Sequence, residues 1–289
     1  MKVLTLVAFL AVVVLTVSQE DCGVPAIKPE LVDLTILGGR EARPGSWPWH
    51  VGLHDKPWVN LPPFNYGYYF CAGALIDEQT VLTAAHCLTI SPNSVQIQLG
   101  SHYRTSRDEG EESVDAVHFC LYPNWTHGNI DDIAIIRLAK PVTFIKTISP
   151  ICLPEPGDEV RIGEDEVYVT GWGYTSPFGH HHSDALQQAR QFICTKSECY
   201  KMKRNNVARI ICSKHDFGSS CHGDSGGPLV LERNGRWQLQ GIVSGGPQVC
   251  GYRSIPMYYT EVAKYRDWID RYRKSVDPLK TPGLCKEQR

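Results

Sequence analysis

The stretch Cys221-His222-Gly223-Asp224-Ser225-Gly226-Gly227-Pro228 sets one serine in a glycine-rich turn. A serine hydroxyl is a poor nucleophile at neutral pH. It becomes reactive when a neighbouring base takes its proton and a carboxylate behind that base fixes the tautomer. It also needs donors aimed at the oxyanion that develops on the attacked carbonyl. Glycines around Ser225 let the backbone turn tightly, so that the N–H groups of Gly223 and Ser225 converge on one spot. Two further strings carry the other residue types. Leu82-Thr83-Ala84-Ala85-His86-Cys87 offers a base, and Asp131-Asp132-Ile133-Ala134-Ile135 offers a carboxylate. Alone, a histidine beside a cysteine is usually a packed or surface residue, and an Asp-Asp before a strand is usually a solvated turn. All three strings in the order His, Asp, Ser are hard to obtain by chance.

Outward from these strings the texture is all-β. Short runs rich in Val, Ile and Tyr alternate with Gly, Pro, Asn and Ser: Ala74–Ile76, Val95–Leu99, Ile133–Leu138, Glu166–Thr170, Leu229–Leu231, Trp237–Val243 and Met257–Thr260. Such spacing predicts closed barrels or sandwiches of antiparallel strands. One segment has another period. Val262, Tyr265, Ile269 and Tyr272 lie near helical spacing among charges, which predicts an amphipathic C-terminal helix.

The chain has 289 residues, 42% of them hydrophobic and 21% charged. That is enough apolar mass for a core and excludes a disordered polymer. A formal net charge of −2 argues against nucleic acid as the main partner. Eleven cysteines with 19 prolines and 25 glycines predict a turn-rich fold with disulfides, hence an oxidising compartment. Met1-Lys2 followed by the apolar run Val3 to Val17 reads as a signal peptide, residues 1–18, with Thr16-Val17-Ser18 at the cleavage site. The run is too short for a bilayer span of ~20 residues, so a secreted, extracellular protein with no membrane partner is expected.

The strings around His86, Asp132 and Ser225 resemble the trypsin/chymotrypsin family of serine endopeptidases, closest in appearance to chymotrypsins and chymotrypsin-like elastases. Ile36-Leu37-Gly38-Gly39, Pro44-Gly45-Ser46-Trp47-Pro48-Trp49, Gly171-Trp172-Gly173 and Leu186-Gln187-Gln188-Ala189 extend the match. Cys22-Gly23-Val24-Pro25-Ala26-Ile27 is similar to the propeptide start of digestive chymotrypsins. The resemblance implies two six-stranded antiparallel barrels and a C-terminal helix, with His86 and Asp132 from the first barrel and Ser225 from the second. It implies a propeptide over residues 19–35, a protease domain over 36–276 and a polar tail over 277–289. Cleavage before Ile36 would free an α-amino group to pair with Asp224 and order the site. Here the sequence departs from the pattern. Thr35 precedes Ile36, with no Arg or Lys at 32–35, so either the activating protease has a non-tryptic specificity or the chain is rarely activated.

Four disulfides are implied by the family: Cys71–Cys87, Cys199–Cys212, Cys221–Cys250 and Cys22–Cys152. A fifth family bridge is missing, its two positions falling at Val167 and Leu231, both apolar. Cys120, Cys194 and Cys285 remain. Cys285 follows the helix that in this family packs near Cys120, so a Cys120–Cys285 bridge is expected, with Cys194 as a buried thiol.

The same resemblance places Ser219 at the base of the primary specificity pocket, with Gly246 and Pro256 on its walls. Ser219 brings no charge for a substrate Lys or Arg. Pro256 stands where the family usually has Gly, and Gly245 where it usually has Trp. An apolar pocket is expected, suited to Leu, Met, Phe or Tyr, with an elastase-like preference for small residues as the alternative. The aromatic segment between Leu53 and Cys71 is longer than the family pattern, which implies a place on the leaving-group side of the cleft, either as a neutral surface insertion or as a substrate-gripping or self-packing lid. Ser101 weakens the calcium loop of some relatives. Glu109, Glu111 and Glu112 are either a cation site or a solvated face, and His180-His181-His182 with His222 either bind zinc or form an exposed polar loop. No structural metal site is expected. Asn124-Trp125-Thr126 is an N-glycosylation acceptor.

The reading is thus a secreted, monomeric, zymogen-type serine endopeptidase that needs no cofactor. Its partners would be protein or peptide substrates, its activator and protein protease inhibitors. Ser225 would be the nucleophile, His86 the acid/base, Asp132 the orienting carboxylate, and the N–H groups of Gly223 and Ser225 the oxyanion hole. The rival class is a catalytically silent homologue acting as a binding module.

Overall fold

The computed structural model describes residues 22–31, 39–56, 67–126, 131–175, 181–201, 207–214, 221–247 and 256–286. The signal segment, Ile36, Ser219, His180 and Cys250 lie outside these residues, as does most of the long loop before Cys71.

The described residues form thirteen strands. After the short β1 (Arg40–Glu41), the first group contains β2 (His50–Asp55), β3 (Tyr69–Asp77), β4 (Thr80–Thr83), β5 (Val95–Leu99), β6 (Glu112–Leu121) and β7 (Ala134–Leu138). Strands β2-β3-β4-β7-β6-β5 close into an antiparallel barrel. The second group is β8 (Val167–Gly171), β9 (Gln187–Ile193), β10 (Ile210–Lys214), β11 (Pro228–Arg233), β12 (Arg236–Gly245) and β13 (Met257–Glu261). Its order is β9-β10-β13-β12-β11-β8, and β8 pairs again with β9 to close the second barrel. Strand β1 is added to β9. Helix α1 (Lys196–Lys201) lies in the second barrel's loops, and α2 (Arg266–Lys274) ends the domain.

Alternation explains the barrel walls. In β6, Val114 and Ala116 are buried while Ser113, Asp115 and Val117 are exposed. A register shift between Ala116 and His118 then changes phase, and Phe119 turns inward. Closure leaves no open sheet edge. The second barrel packs Val167, Val169, Leu229, Leu231, Met257 and Tyr259 into its interior. Val167 and Leu231, where the family's fifth bridge is missing, are direct register partners and almost fully buried. Two apolar side chains thus fill that site, each contributing about 1.5–3 kcal/mol by burial.

The helical stripe is as the spacing predicts: Val262, Tyr265, Ile269 and Tyr272 are all buried. The chain enters through a 3₁₀ turn at Val262–Tyr265 before α2 begins. The following segment is held to the first barrel. Leu284 is fully buried, Lys286 N–H donates to Leu121 O at 2.9 Å, and Trp268 Nε1 donates to Leu284 O at 2.8 Å. Cys285 bridges to Cys120 across a sequence separation of 165. At the other end Cys22 bridges to Cys152, and Gly23 exchanges backbone hydrogen bonds with Pro150 and Trp237. Cys71–Cys87 and Cys199–Cys212 complete the four bridges whose partners are both described. Cys221 is disulfide-bonded as well, its expected partner Cys250 lying outside the described residues. Cys194 is buried and forms no disulfide.

Candidate active site

A 3₁₀ turn over Ala85–Cys87, directly after β4, presents His86. Asp132 immediately precedes Ile133 and β7, the strand that pairs with β4, so the two residues meet at one end of the first barrel. His86 Nδ1 lies 2.7 Å from Asp132 Oδ2, and His86 N–H donates to Oδ1 at 2.9 Å. Asp132 is fully buried, whereas the His86 side chain is one-third exposed. A third donor reaches the carboxylate from the second barrel: Ser244 Oγ bonds Oδ2 at 2.7 Å. Thr260 Oγ1 holds the Asp132 carbonyl at 2.8 Å. Three donors converge on this dry carboxylate and fix its orientation. The proton shared with Asp132 sits on Nδ1, which leaves Nε2 as the imidazole's acceptor.

Asp131 does other work. Its φ is +56°, a left-handed conformation tolerated by aspartate. Its carboxylate accepts from Arg209 Nη1 at 2.9 Å and from Tyr265 OH at 2.7 Å. It therefore ties the barrels and the C-terminal segment together, leaving Asp132 as the partner of His86.

The serine turn interlocks with both. Ser225 O accepts from Ala72 N–H at 2.8 Å, and Gly226 N–H donates to Val243 O at 2.8 Å, next to Ser244. Gly226 has φ +81°, and a Cβ there would strike Ala72 O and Thr83 Oγ1 and lie 3.2 Å from Ala84 N. A glycine is required at this spot on both counts. The turn thus abuts the residues just before His86 on one side and the strand that holds Asp132 on the other.

The peptides on either side of Gly223 are clamped. Tyr174 N–H donates to His222 O at 3.0 Å, which fixes the His222–Gly223 peptide plane and hence the direction of the Gly223 N–H. Tyr69 OH donates to Gly223 O at 2.6 Å and fixes the next peptide. The carboxyl group of Asp224 is bonded to Cys221 N–H and Gly173 N–H, both at 2.7 Å. Among the described residues no cation pairs with it. Burial pushes the Asp224 carboxyl up to about 7 against the pull of those two N–H groups. A cavity of about 20 Å³ lies beside it, lined by Val169, Gly171, Gly173 and Gln188. That is room for one small polar group.

At the expected specificity pocket, Gly246 follows β12 two residues after Ser244, and Pro256 is buried before β13. Gly246 carries no side chain, but its free space is already taken. A Cβ there would strike Met257 Sδ and lie 2.8 Å from Met257 Cε. Met257, Ser244 and Tyr69 carry no site role in the sequence. Ser244 reaches Asp132 and Tyr69 reaches Gly223 across the barrels, Met257 reaches Gly246 from the neighbouring strand β13, and no local motif announces any of them.

Other candidates resolve differently. Glu111 is buried, and its oxygens accept from Gln98 at 2.7 Å and Ser101 at 2.9 Å. Asp108 Oδ2 accepts the N–H groups of His102 and Tyr103. These carboxylates brace their own loop. Cys71, His86 and Cys87 lie within 4.8 Å of one another, but both sulfurs belong to one disulfide and offer no thiolate. Asn124 is exposed and Trp125 buried beside it. No helix among the described residues is long and apolar enough to cross a membrane.

Residues 36–269 match the family model described as Trypsin, a span that takes in both barrels, His86, Asp132 and the Ser225 turn. With that match laid over two closed six-stranded barrels, the chain belongs to the trypsin family of serine proteases.

Proposed function

We propose that the chain is a secreted serine endopeptidase made as a zymogen. The observation that carries the reading is the buried Asp132 carboxylate, bonded twice to His86, with the Ser225 turn wedged against the residues that present both. In this reading Ser225 attacks the scissile carbonyl while His86 takes its proton and returns it to the leaving amine. Asp132 holds the tautomer and stabilises the imidazolium, and the N–H groups of Gly223 and Ser225 receive the oxyanion. Water then deacylates the enzyme with His86 as base. Its partners are protein or peptide substrates and protein inhibitors.

Activation follows from Asp224. A buried carboxyl with no cation beside it, facing a small cavity, suits an α-ammonium group released by cleavage before Ile36. Thr35 calls for an activator of non-tryptic specificity. Cys22–Cys152 would keep the propeptide attached. Asn124, exposed in its Asn-X-Thr string, is the proposed glycosylation site.

The pocket formed by Ser219, Gly246 and Pro256 would take apolar side chains. The Met257 thioether at Gly246 favours the smaller ones, an elastase-like bias over a chymotrypsin-like one. One experiment tests the whole reading. The chain cut before Ile36 is treated with a fluorophosphonate and assayed on peptides that differ only in Arg, Phe, Leu or Ala before the scissile bond. Labelling and turnover should be present, lost in Ser225→Ala, and fastest on Leu or Ala. No labelling would establish a silent homologue, and fastest cutting after Arg would refute the pocket.

A further inference from the structure

His182 belongs to the triple-histidine run, which the reaction above does not use. The structure lays its imidazole directly on Gly223. A Cβ built on Gly223 would strike His182 Cε1 and lie 2.5 Å from Nδ1. The ring stands edge-on between two others, Tyr69 at 5.5 Å and 89°, and Tyr174 at 4.9 Å and 64°. Nδ1 lies 3.3 Å from Trp172 O, so the neutral ring carries its proton there. The backbone is anchored on both sides. Tyr174 and His182 pair as an antiparallel bridge, Ser183 N–H donates to Gly173 O at 3.2 Å, and Arg104 Nε donates to Ser183 O at 3.2 Å.

The two tyrosines that flank this ring are the same two that clamp the peptides on either side of Gly223. His182 therefore fills the gap between the clamps and the glycine. Gly223 offers no side chain to fill it from below. Removing or displacing the imidazole leaves the donor peptide covered on one side only.

We propose that His182 is a positioning residue for the Gly223 peptide, docked only as the neutral imidazole, and that its protonation loosens the oxyanion hole. The proposal rests on the endopeptidase reading. The charged and titratable groups around the ring are consistent with it. Tyr69, held neutral well above its ordinary range by burial and by Asp224, and Tyr174 contribute rings and no anion. Asp224 turns its carboxyl to Gly173 and Cys221. His222 and His181 are exposed, and Asp184 accepts from Thr105. Burial first, and then the Arg104 guanidinium, lower the His182 imidazole below 6.5, while the Trp172 carbonyl raises it. An undocked ring keeps the ordinary value. Docking is therefore fully present above about 6.5 and weakens roughly tenfold per pH unit below it, until the docked ring itself protonates.

The test compares kcat/KM against pH for the cleaved full-length chain and its His182→Phe variant. In the wild type, protonation of His86 and of His182 should steepen the acid limb towards two protons. Phenylalanine keeps a ring in place without titrating, so its limb should show one. In His182→Ala, kcat at pH 8 should drop with KM nearly unchanged, and His182→Phe should recover part of the loss. Equal slopes in wild type and His182→Phe would overturn the proposal. Should the variants fail to fold, or should the wild type prove inactive, imidazole NMR titration of uncleaved Ser225→Ala chain decides the docking separately. His182 must titrate below 6.5 and move the Tyr69 and Tyr174 ring signals with it. A value at or above 6.5, or silent tyrosines, would refute it.

Discussion

Replacing Asp224 by asparagine should make the uncleaved chain more stable at alkaline pH, by an amount the structure sets. Asp224 is almost fully dry, and its carboxyl is pushed from 3.8 up to about 7 by burial. The unfolded chain therefore gives up this proton well before the folded chain does. The stability the protonated carboxyl carries is fully present below 3.8 and is lost as pH climbs through about 7. At about 1.4 kcal/mol per unit, the roughly three-unit gap amounts to about 4 kcal/mol lost by pH 8. Asparagine shares the neutrality of the protonated acid, but its Oδ1 can accept only one of the N–H groups of Cys221 and Gly173, and its NH2 cannot accept the other. Asp224→Asn should thus start about 1–3 kcal/mol below wild type at pH 4, for the N–H left unpaired, and gain on it as pH rises. Between pH 4 and 8 the variant should gain roughly 10 °C relative to wild type on the scale for chains of this size. Thermal unfolding of full-length, uncleaved protein in a Ser225→Ala background, from pH 4 to 8.5, measures the gap. After cleavage before Ile36 only the chain that keeps Asp224 should gain stability, because only it has a charge for the new ammonium. A difference between variant and wild type that stays constant with pH, or moves in the wild type's favour as pH rises, would refute the reasoning.

Asp132→Asn should cut turnover by about 10⁴ by favouring the wrong imidazole tautomer. Asp131→Asn should cost about 1–3 kcal/mol of stability through Arg209 and Tyr265 and change turnover little, as steady-state kinetics beside urea titrations will show. Cys285→Ser should lower unfolding free energy by up to about 5 kcal/mol, the chain-entropy value for so long a loop, read from the urea midpoint at constant slope. A loss under about 1 kcal/mol would mean that Leu284 and Lys286 hold the segment without the bridge.

The architecture was legible because its signals are local. Alternation in the strand runs and the 3.6-residue stripe from Val262 to Tyr272 need only neighbours along the chain to be read. The strings around His86, Asp132 and Ser225 are equally compact. What escaped the sequence lies across barrels or between elements distant along the chain. Ser244 is an ordinary strand serine until β12 lies against Asp132, and Tyr69 an ordinary strand tyrosine until its hydroxyl meets Gly223. Gly246 carries no warning that the Met257 thioether from the neighbouring strand will occupy its space. The segment after Ser275 reads as a polar tail by composition. One buried leucine and one cysteine, too few for any periodic signal, fix it to the first barrel.

The Cys120–Cys285 bond turns the chain between those two residues into a covalent ring. That ring contains the whole connection between the barrels, the whole second barrel and α2. A protease that nicks the connection, anywhere in residues 139–166, cuts the polypeptide without parting its halves. The second barrel stays leashed to the first, at the high local concentration that favours re-docking over escape. Cys22–Cys152 adds an asymmetry, since the attachment point of the leading segment lies within the same connection. A nick before Cys152 leaves that segment bonded to the second barrel's fragment, and a nick after it leaves the segment with the first. Electrophoresis before reduction would show one intact species in either case. Reduction would reveal which side of Cys152 had been cut.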